Sequence, residues 1–318
     1  MMQIIPNDTN FDFVGWRRPL VLTSIVLNIL ALGLLLVKGP NLGIDFAGGS
    51  LVQVRFAEST QTDAIRSALA GLDLGVLDIQ DLGGANKEFL IRVPLTGENA
   101  EGVNKRLTAT LAEKFGADKV EVLRVEAVGP RVGRDLRTRA VLAVMFATLM
   151  MGIYISLRFE WRFGVGAAVA LIHDVLLAIG LLILFDYEFD LTIVAALLSI
   201  VGFSVHDTVI VSDRIRENRR KDRRSSLAQI MNLSINETLS RTVLTTGTAL
   251  LVVLSLYLLG GSVIHGFAFA LLIGFIVGTY SSIFIASPVV LFFEPVGAAP
   301  AGERREGRAA QTPAARRR

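Results

Sequence analysis

Six apolar runs, each about long enough to cross a bilayer, leave this sequence little choice of architecture. They cover residues 20–37, 140–157, 164–185, 191–211, 243–259 and 267–293, and a helix spans the hydrocarbon with about 20 apolar residues. No lysine or arginine and only two carboxylates, Asp174 and Asp207, interrupt them. The wider composition agrees. Of 318 residues 52% are hydrophobic and 19% charged, against about 25% charged in soluble domains. The expected fold is a polytopic α-helical membrane protein with six transmembrane helices. The chain has no cysteine, which excludes disulfides, thiolate metal sites and cysteine nucleophiles. A pI near 9.4 rests on a net charge of only +3 and gives no support for a nucleic-acid partner.

The first run follows Trp16, Arg17 and Arg18, but no small-x-small cleavage site comes after it. It reads as an uncleaved anchor. Six spans place both termini on one side, and the basic short segments choose which. Arg158 and Arg162 flank one short loop, Asp213–Arg224 is rich in arginine, and the chain ends in Arg316-Arg317-Arg318. The opposite loop, Asp186–Asp190, is acidic. The basic face is therefore expected to be cytoplasmic. Arg131, Arg134, Arg137 and Arg139 fall on the other side. They end a connection of about 100 residues, and loops beyond about 60 translocate largely regardless of charge. The expected map is a cytoplasmic N-terminus (1–19), an external domain (38–139), a basic cytoplasmic loop (212–242) and a basic tail (294–318). The arginine-rich loop suits either anionic lipid contact or docking of a cytoplasmic partner.

Between the first two spans the patterning becomes that of a soluble domain. Leu51–Phe56 alternates as a strand, and 61–72 carries Ile65, Leu69 and Leu72 at helical spacing. Residues 75–82 and Glu88–Val93 read as strands joined by a turn at 83–86. Residues 99–115 return to helical period, and Val120–Val128 is a last strand closed by Gly129-Pro130. The order β-α-β-β-α-β predicts a ferredoxin-like unit. It holds no histidine, no cysteine and no nucleophile elbow. Its acids are scattered over solvated faces, so it is expected to bind or move without catalysing. Gly43–Gly49 is glycine-rich but follows a span and precedes a strand, which suits a tight backbone path better than a phosphate loop.

Ionisable groups inside spans cost about 2.5–3.5 kcal/mol each on insertion scales and are functional candidates by default. Asp174 lies midway along the third run beside His173, and Asp207 lies in the fourth beside His206. Arg241 begins the fifth span, just ahead of its apolar run and also at the cytoplasmic level. By helical spacing Asp207 shares a face with Ser204, while Arg241 shares one with Thr238, Thr245 and Thr248. A carboxylate and a guanidinium at similar depth on consecutive helices are placed to pair. Burial and a neighbouring cation then act in opposite senses on the carboxyl, a competition that suits reversible proton loading. Structural readings compete: Arg241 could snorkel or pair with Glu237, and Asp174 could be satisfied at a helix contact. Two stripes of small residues, Gly166/Ala170/Asp174/Ala178 and Gly274/Gly278/Ser282/Ala286, permit close helix approach. Two intramembrane histidines without an HExxH pair make no metal site, and no nucleophile–base pair supports an enzyme.

Gly43–Gly49, Ala170–Asp174, Val201–Asn218, Leu239–Thr242 and Gly278–Pro288 resemble, in identity and spacing, the SecF family of bacterial protein translocase subunits. The resemblance runs from the first span to Phe293. It implies half of an RND-type membrane domain, with SecD supplying the other half. It implies work in the inner membrane with a SecY-type channel, SecA and YajC on an emerging precursor, driven by the proton-motive force. No cofactor is implied, and H+ is the expected coupling ion. Proton conduction maps onto Asp207 and Arg241; Asp174, His173, His206, Ser204 and Thr245 are candidates for a proton path or for helix packing. Gly43, Asp45, Gly48 and Gly49 match the family motif at the membrane–domain junction. The family usually has Asn before the acid where this chain has His206. Two rival readings follow from architecture alone: half of an RND-like lipid or small-molecule exporter, and a passive scaffold.

Overall fold

The computed structural model describes residues 9–72, 74–75, 77–82, 87–94 and 100–294. In chain order the elements are α1 (Arg17–Val37), β1 (Asn41–Leu42), α2 (Ile44–Ala47), β2 (Gly49–Phe56), α3 (Thr62–Leu69), β3 (Asp78–Asp81), β4 (Glu88–Val93), α4 (Ala100–Phe115) and β5 (Val120–Val128). Then come α5 (Pro130–Arg158), α6 (Trp161–Leu184), β6 (Glu188–Phe189), α7 (Leu191–Lys221), α8 (Leu227–Leu259), α9 (Ser262–Ser281), a π turn (Ser282–Ala286) and α10 (Ser287–Phe292). Among the described residues, six helices are long and apolar enough to cross a membrane: α1, α5, α6, α7, α8 and the rod of α9 with α10. The chain is a multi-pass helical membrane protein.

The helices outrun the apolar runs, and the reasons are local. Pro130 opens α5 ten residues before the expected span, at the helix start where a missing N–H costs nothing; Arg131, Arg134, Arg137 and Arg139 thus lie on a helix. The loop expected over 212–242 is helical except at Asp222–Ser226. Arg214–Glu217 (2.6 Å, i,i+3) and Glu217–Lys221 (2.6 Å, i,i+4) carry α7 onward, as charged neighbours one turn apart stabilise a helix. A capping box between Ser226 and Gln229 starts α8. Within the turn, the Asp222 carboxylate accepts from Ser225 Oγ and from the N–H groups of Arg224 and Ser225. These bonds hold its pKa below the ordinary aspartate value. His265 lies in α9 with its ring 3.9 Å from that of Tyr257.

Two compact units divide the chain: one comprises the residues up to Gly39, Val144–Phe185 and Ala195 onward, the other Pro40–Ala143 and Asp186–Val194. In the second, β3-β4-β2-β5 form an antiparallel sheet. The period-2 face of β2, Val52, Val54 and Phe56, joins Phe89 and Ile91 of β4 against Ile65, Leu69, Val103, Leu107 and Leu111 of the two helices. The expected strand over 75–82 is shortened to Asp78–Asp81, after Gly75 at φ +75°. The expected turn at 83–86, residue 99 and the tail beyond 294 lie outside the described residues. One feature was not anticipated: the acidic segment 186–190 contributes β6, which pairs in parallel with β1. Arg92 of β4 meets both Glu188 of β6 and Asp78 of β3.

In the first unit the small-residue stripes are used within the chain. A Cβ at Gly166 would come 2.7 Å from the Ala286 carbonyl oxygen, and one at Gly278 3.1 Å from Ser204 Cβ. The α6 stripe thus packs on the π turn, and the α9 stripe on α7.

Candidate functional site

The two intramembrane carboxylates occupy opposite environments. Asp174, on α6, is fully buried, at 0% exposure. Its Oδ2 accepts from Ser204 Oγ of α7 at 2.6 Å and from Ser281 Oγ of α9 at 2.7 Å. Its Oδ1 lies 2.8 Å from His173 Nδ1. The glycine stripe brings α9 close enough to α7 for both hydroxyls to reach one oxygen. The His173 ring stacks on Tyr280 with centroids 6.1 Å apart. The Tyr280 phenol donates to the Leu20 carbonyl at 2.9 Å, leaving Ser24 Oγ, 2.8 Å away, as donor to it. Hydrogen bonds and this ring stack together link α1, α6, α7 and α9 around Asp174.

Asp207, on α7, is 2% exposed. Its Oδ1 accepts one long bond, 3.2 Å, from Thr242 Oγ1 of α8. Its Oδ2 is buried with no hydrogen-bond partner among the described residues. Buried polar atoms are nearly always paired, so each exception calls for a reason.

The predicted site residues distribute unevenly between these carboxylates. Ser204 shares Asp207's helix face but gives its hydroxyl to Asp174. Arg241 does not pair with Asp207: it is exposed and makes no ion pair or hydrogen bond through its side chain among the described residues. It and His206 are near enough to act on Asp207 through space. Arg241 does not pair with Glu237 either; Glu237 Oε2 instead accepts from Arg214 Nε (2.7 Å) and Asn218 Nδ2 (2.6 Å). Nor does Arg241 begin a helix; α8 starts 14 residues earlier, at Leu227. Thr245 donates to the Arg241 and Thr242 carbonyls, so its proton is engaged in the backbone. His206 is exposed beside Asp207. Among the described residues no three histidine, aspartate or glutamate side chains converge as a metal ligand set.

Sequence reasoning missed Thr242, Ser281 and Tyr280 as partners. Ser281 stands three residues after Gly278 of the stripe, a spacing that would have placed it near the same contact.

The glycine-rich motif is a junction in the second unit. Gly43 N–H donates to the Phe189 carbonyl at 2.8 Å. Asp45 Oδ2 accepts from the Leu191 N–H at 3.0 Å. With Asp190 Oδ1, which takes the Ile193 N–H at 2.9 Å, Asp45 caps the start of α7, the helix that carries Asp207. Gly48 (φ +78°) and Gly49 (φ +147°) adopt backbone that side chains disfavour. A Cβ at Gly48 would lie 2.8 Å from Pro130 Cα, a backbone atom that cannot swing aside. Gly48→Val is therefore expected to cost about 2 kcal/mol or more through combined strain and overpacking. Steady-state membrane abundance and detergent melting should both fall. Wild-type values in both would show that the motif tolerates a side chain there.

Residues 108–295 match the family model for protein export membrane protein SecD/SecF, C-terminal, and residues 33–60 match the SecD/SecF GG motif. The protein translocase subunit SecF of Calditerrivibrio nitroreducens is 44% identical over 292 residues, covering 91% of this chain and 96% of that one. The subunit of the same name from Magnetococcus marinus is 46% identical over 297 residues, covering 92% and 95%. The crystal structure of SecDF from Thermus thermophilus, a translocon-associated membrane protein, aligns with a TM-score of 0.81 at 38% identity. That match covers 91% of this chain and 39% of the SecDF chain, so this chain spans about two-fifths of it. A SecDF in a super-membrane-facing form aligns with a TM-score of 0.67 at 36% identity, covering 98% and 41%.

Proposed function

The chain belongs to the SecD/SecF family of protein export membrane proteins, and on that premise we propose that it is an accessory Sec translocase subunit that, with SecD, converts the proton-motive force into late steps of export. It resides in the inner membrane with both termini cytoplasmic. Its second unit, whose strand order is that of a ferredoxin-like fold, is periplasmic and meets the emerging precursor. SecD is its heteromeric partner; a SecY-type channel, SecA and YajC complete the assembly.

The observation that carries the coupling role is the Oδ2 of Asp207, buried and without a hydrogen-bond partner among the described residues. A buried carboxyl held by one long hydrogen bond is free to exchange a proton with whatever reaches it. Asp174, with both carboxyl oxygens hydrogen-bonded, holds helices together. His173 and Ser204 belong to that structural cluster, whereas His206 and Arg241 set the field around Asp207. Protonation of Asp207 changes how α7 packs on α8, and α7 is one continuous 31-residue helix whose first turn is capped by Asp45. A shift in α7 is thereby passed to the motif and the sheet beside it.

An exposed guanidinium within a membrane helix requires a polar partner. SecD is the partner proposed to cover the α8 face that bears Arg241, Thr245 and Thr248. Because the chain has no native cysteine, a Thr248→Cys variant carries one attachment point. A benzophenone placed there is expected to capture SecD on illumination in native membranes. Capture of lipid alone, with SecD present at normal levels, would count against this interface.

A further inference from the structure

The turn between α5 and α6 gathers cations that have no carboxylate partner among the described residues. The Arg158 guanidinium lies 5.5 Å from the Phe159 ring centroid, and that of Arg216, arriving from α7, lies 5.9 Å from the same ring. Arg216 Nη1 donates to the Arg158 carbonyl at the end of α5, at 3.4 Å. Arg162 lies 5.9 Å from the Trp161 ring. Of the nearby acids, Glu160 pairs with Arg219, Glu217 with Arg214 and Lys221, and Glu237 with Arg214, while Asp213 and Glu294 form no ion pair with these arginines among the described residues. Among the described residues, Arg158, Arg162 and Arg216 have no carboxylate partner. Two like charges drawn onto one ring without an acid leave a site complementary to an external anion, and guanidinium forks match phosphate oxygens.

The surroundings identify the kind of anion. Leu157 (83%), Trp161 (55%) and Phe292 (82%) are exposed around these arginines, and Trp161 packs on Phe293 with ring centroids 5.2 Å apart. Aromatic side chains at a span's end mark headgroup depth. A soluble phosphate or an acidic peptide would use the arginines and gain nothing from these apolar neighbours. A phospholipid uses both, its phosphate on the guanidiniums and its acyl chains along Leu157, Trp161 and Phe292. We propose that Arg158 and Arg216, framed by Phe159 and Trp161, bind the headgroup phosphate of an anionic phospholipid. The site does not depend on the coupling role of Asp207.

Native mass spectrometry of the full chain, titrated with phosphatidylglycerol or phosphatidylcholine of matched acyl chains, tests this. Wild type is expected to favour phosphatidylglycerol by about tenfold, each nearby cation adding to the preference. Arg158→Gln/Arg216→Gln should lose that preference. Arg214→Gln/Lys221→Gln, which alters cations already paired with acids, should keep it. Trp161→Ala leaves the guanidiniums in place and should weaken binding of both lipids. Three results would overturn the site: equal affinity for the two lipids in wild type, equal loss in both double variants, or displacement of phosphatidylglycerol by equimolar inorganic phosphate.

Discussion

Asp174→Ala is expected to destabilise the membrane unit by about 3 kcal/mol or more, since removing one partner from a buried charged network leaves the others unsatisfied. Two serine hydroxyls and an imidazole would lose their acceptor at the meeting of α6, α7 and α9. Ser281 can fall back on the Gly278 carbonyl at 3.1 Å, so the largest penalties fall on Ser204 and His173. Asp174→Asn keeps an oxygen for the serines and a shape that fits the cavity, and is expected to preserve most of the fold. Melting of the purified protein in detergent separates the two variants: a clear fall for alanine and a small one for asparagine. The opposite pattern, a stable alanine variant and an asparagine variant that folds but stops export, would make Asp174 a proton site in its own right.

The asymmetry between the two aspartates explains why one position is read as a brace and the other as an ion site. Both lie in apolar helices, and both neighbour a histidine in sequence. Local sequence therefore treats them alike. What separates them is the set of hydroxyls brought up by other helices, from 30 and 107 residues away for Asp174 and from 35 residues away for Asp207. Periodicity places Ser204 and Asp207 on one face of α7, yet a face touches more than one neighbour, and Ser204 turns to α6. Similar depth suggested that Arg241 and Asp207 pair. Depth fixes height along a helix and leaves rotation free, and Arg241 is rotated outward while Thr242 turns inward.

The spans themselves were legible because an apolar run of bilayer length has few alternatives to a helix. Their ends were not, because α7 and α8 continue past the apolar runs on ion pairs and a capping box. The β1–β6 pairing was invisible for another reason. Two-residue strands carry no periodicity, and the role of Asp45 at the start of α7 depends on that pairing. The glycines of the motif were legible as backbone requirements, and the close approach of Gly48 to Pro130 supplies the reason.

On the proposed function, a proton exchanged at Asp207 drives export. A proton crossing 100 mV releases about 2.3 kcal/mol, worth up to roughly a 50-fold rate change if all of it lowers one barrier. Asp207→Asn removes the exchangeable proton while keeping an oxygen for Thr242, so the helices should still pack. The decisive measurement is pulse-chase export of a secreted precursor in cells depleted of the native subunit and supplied with wild type or Asp207→Asn, with membrane levels of this protein and SecD followed in parallel. Export slowed about tenfold or more, with both proteins at normal levels, is the expected result. Export at the wild-type rate would contradict the role given to Asp207, and slowed export accompanied by loss of SecD would make this chain a scaffold.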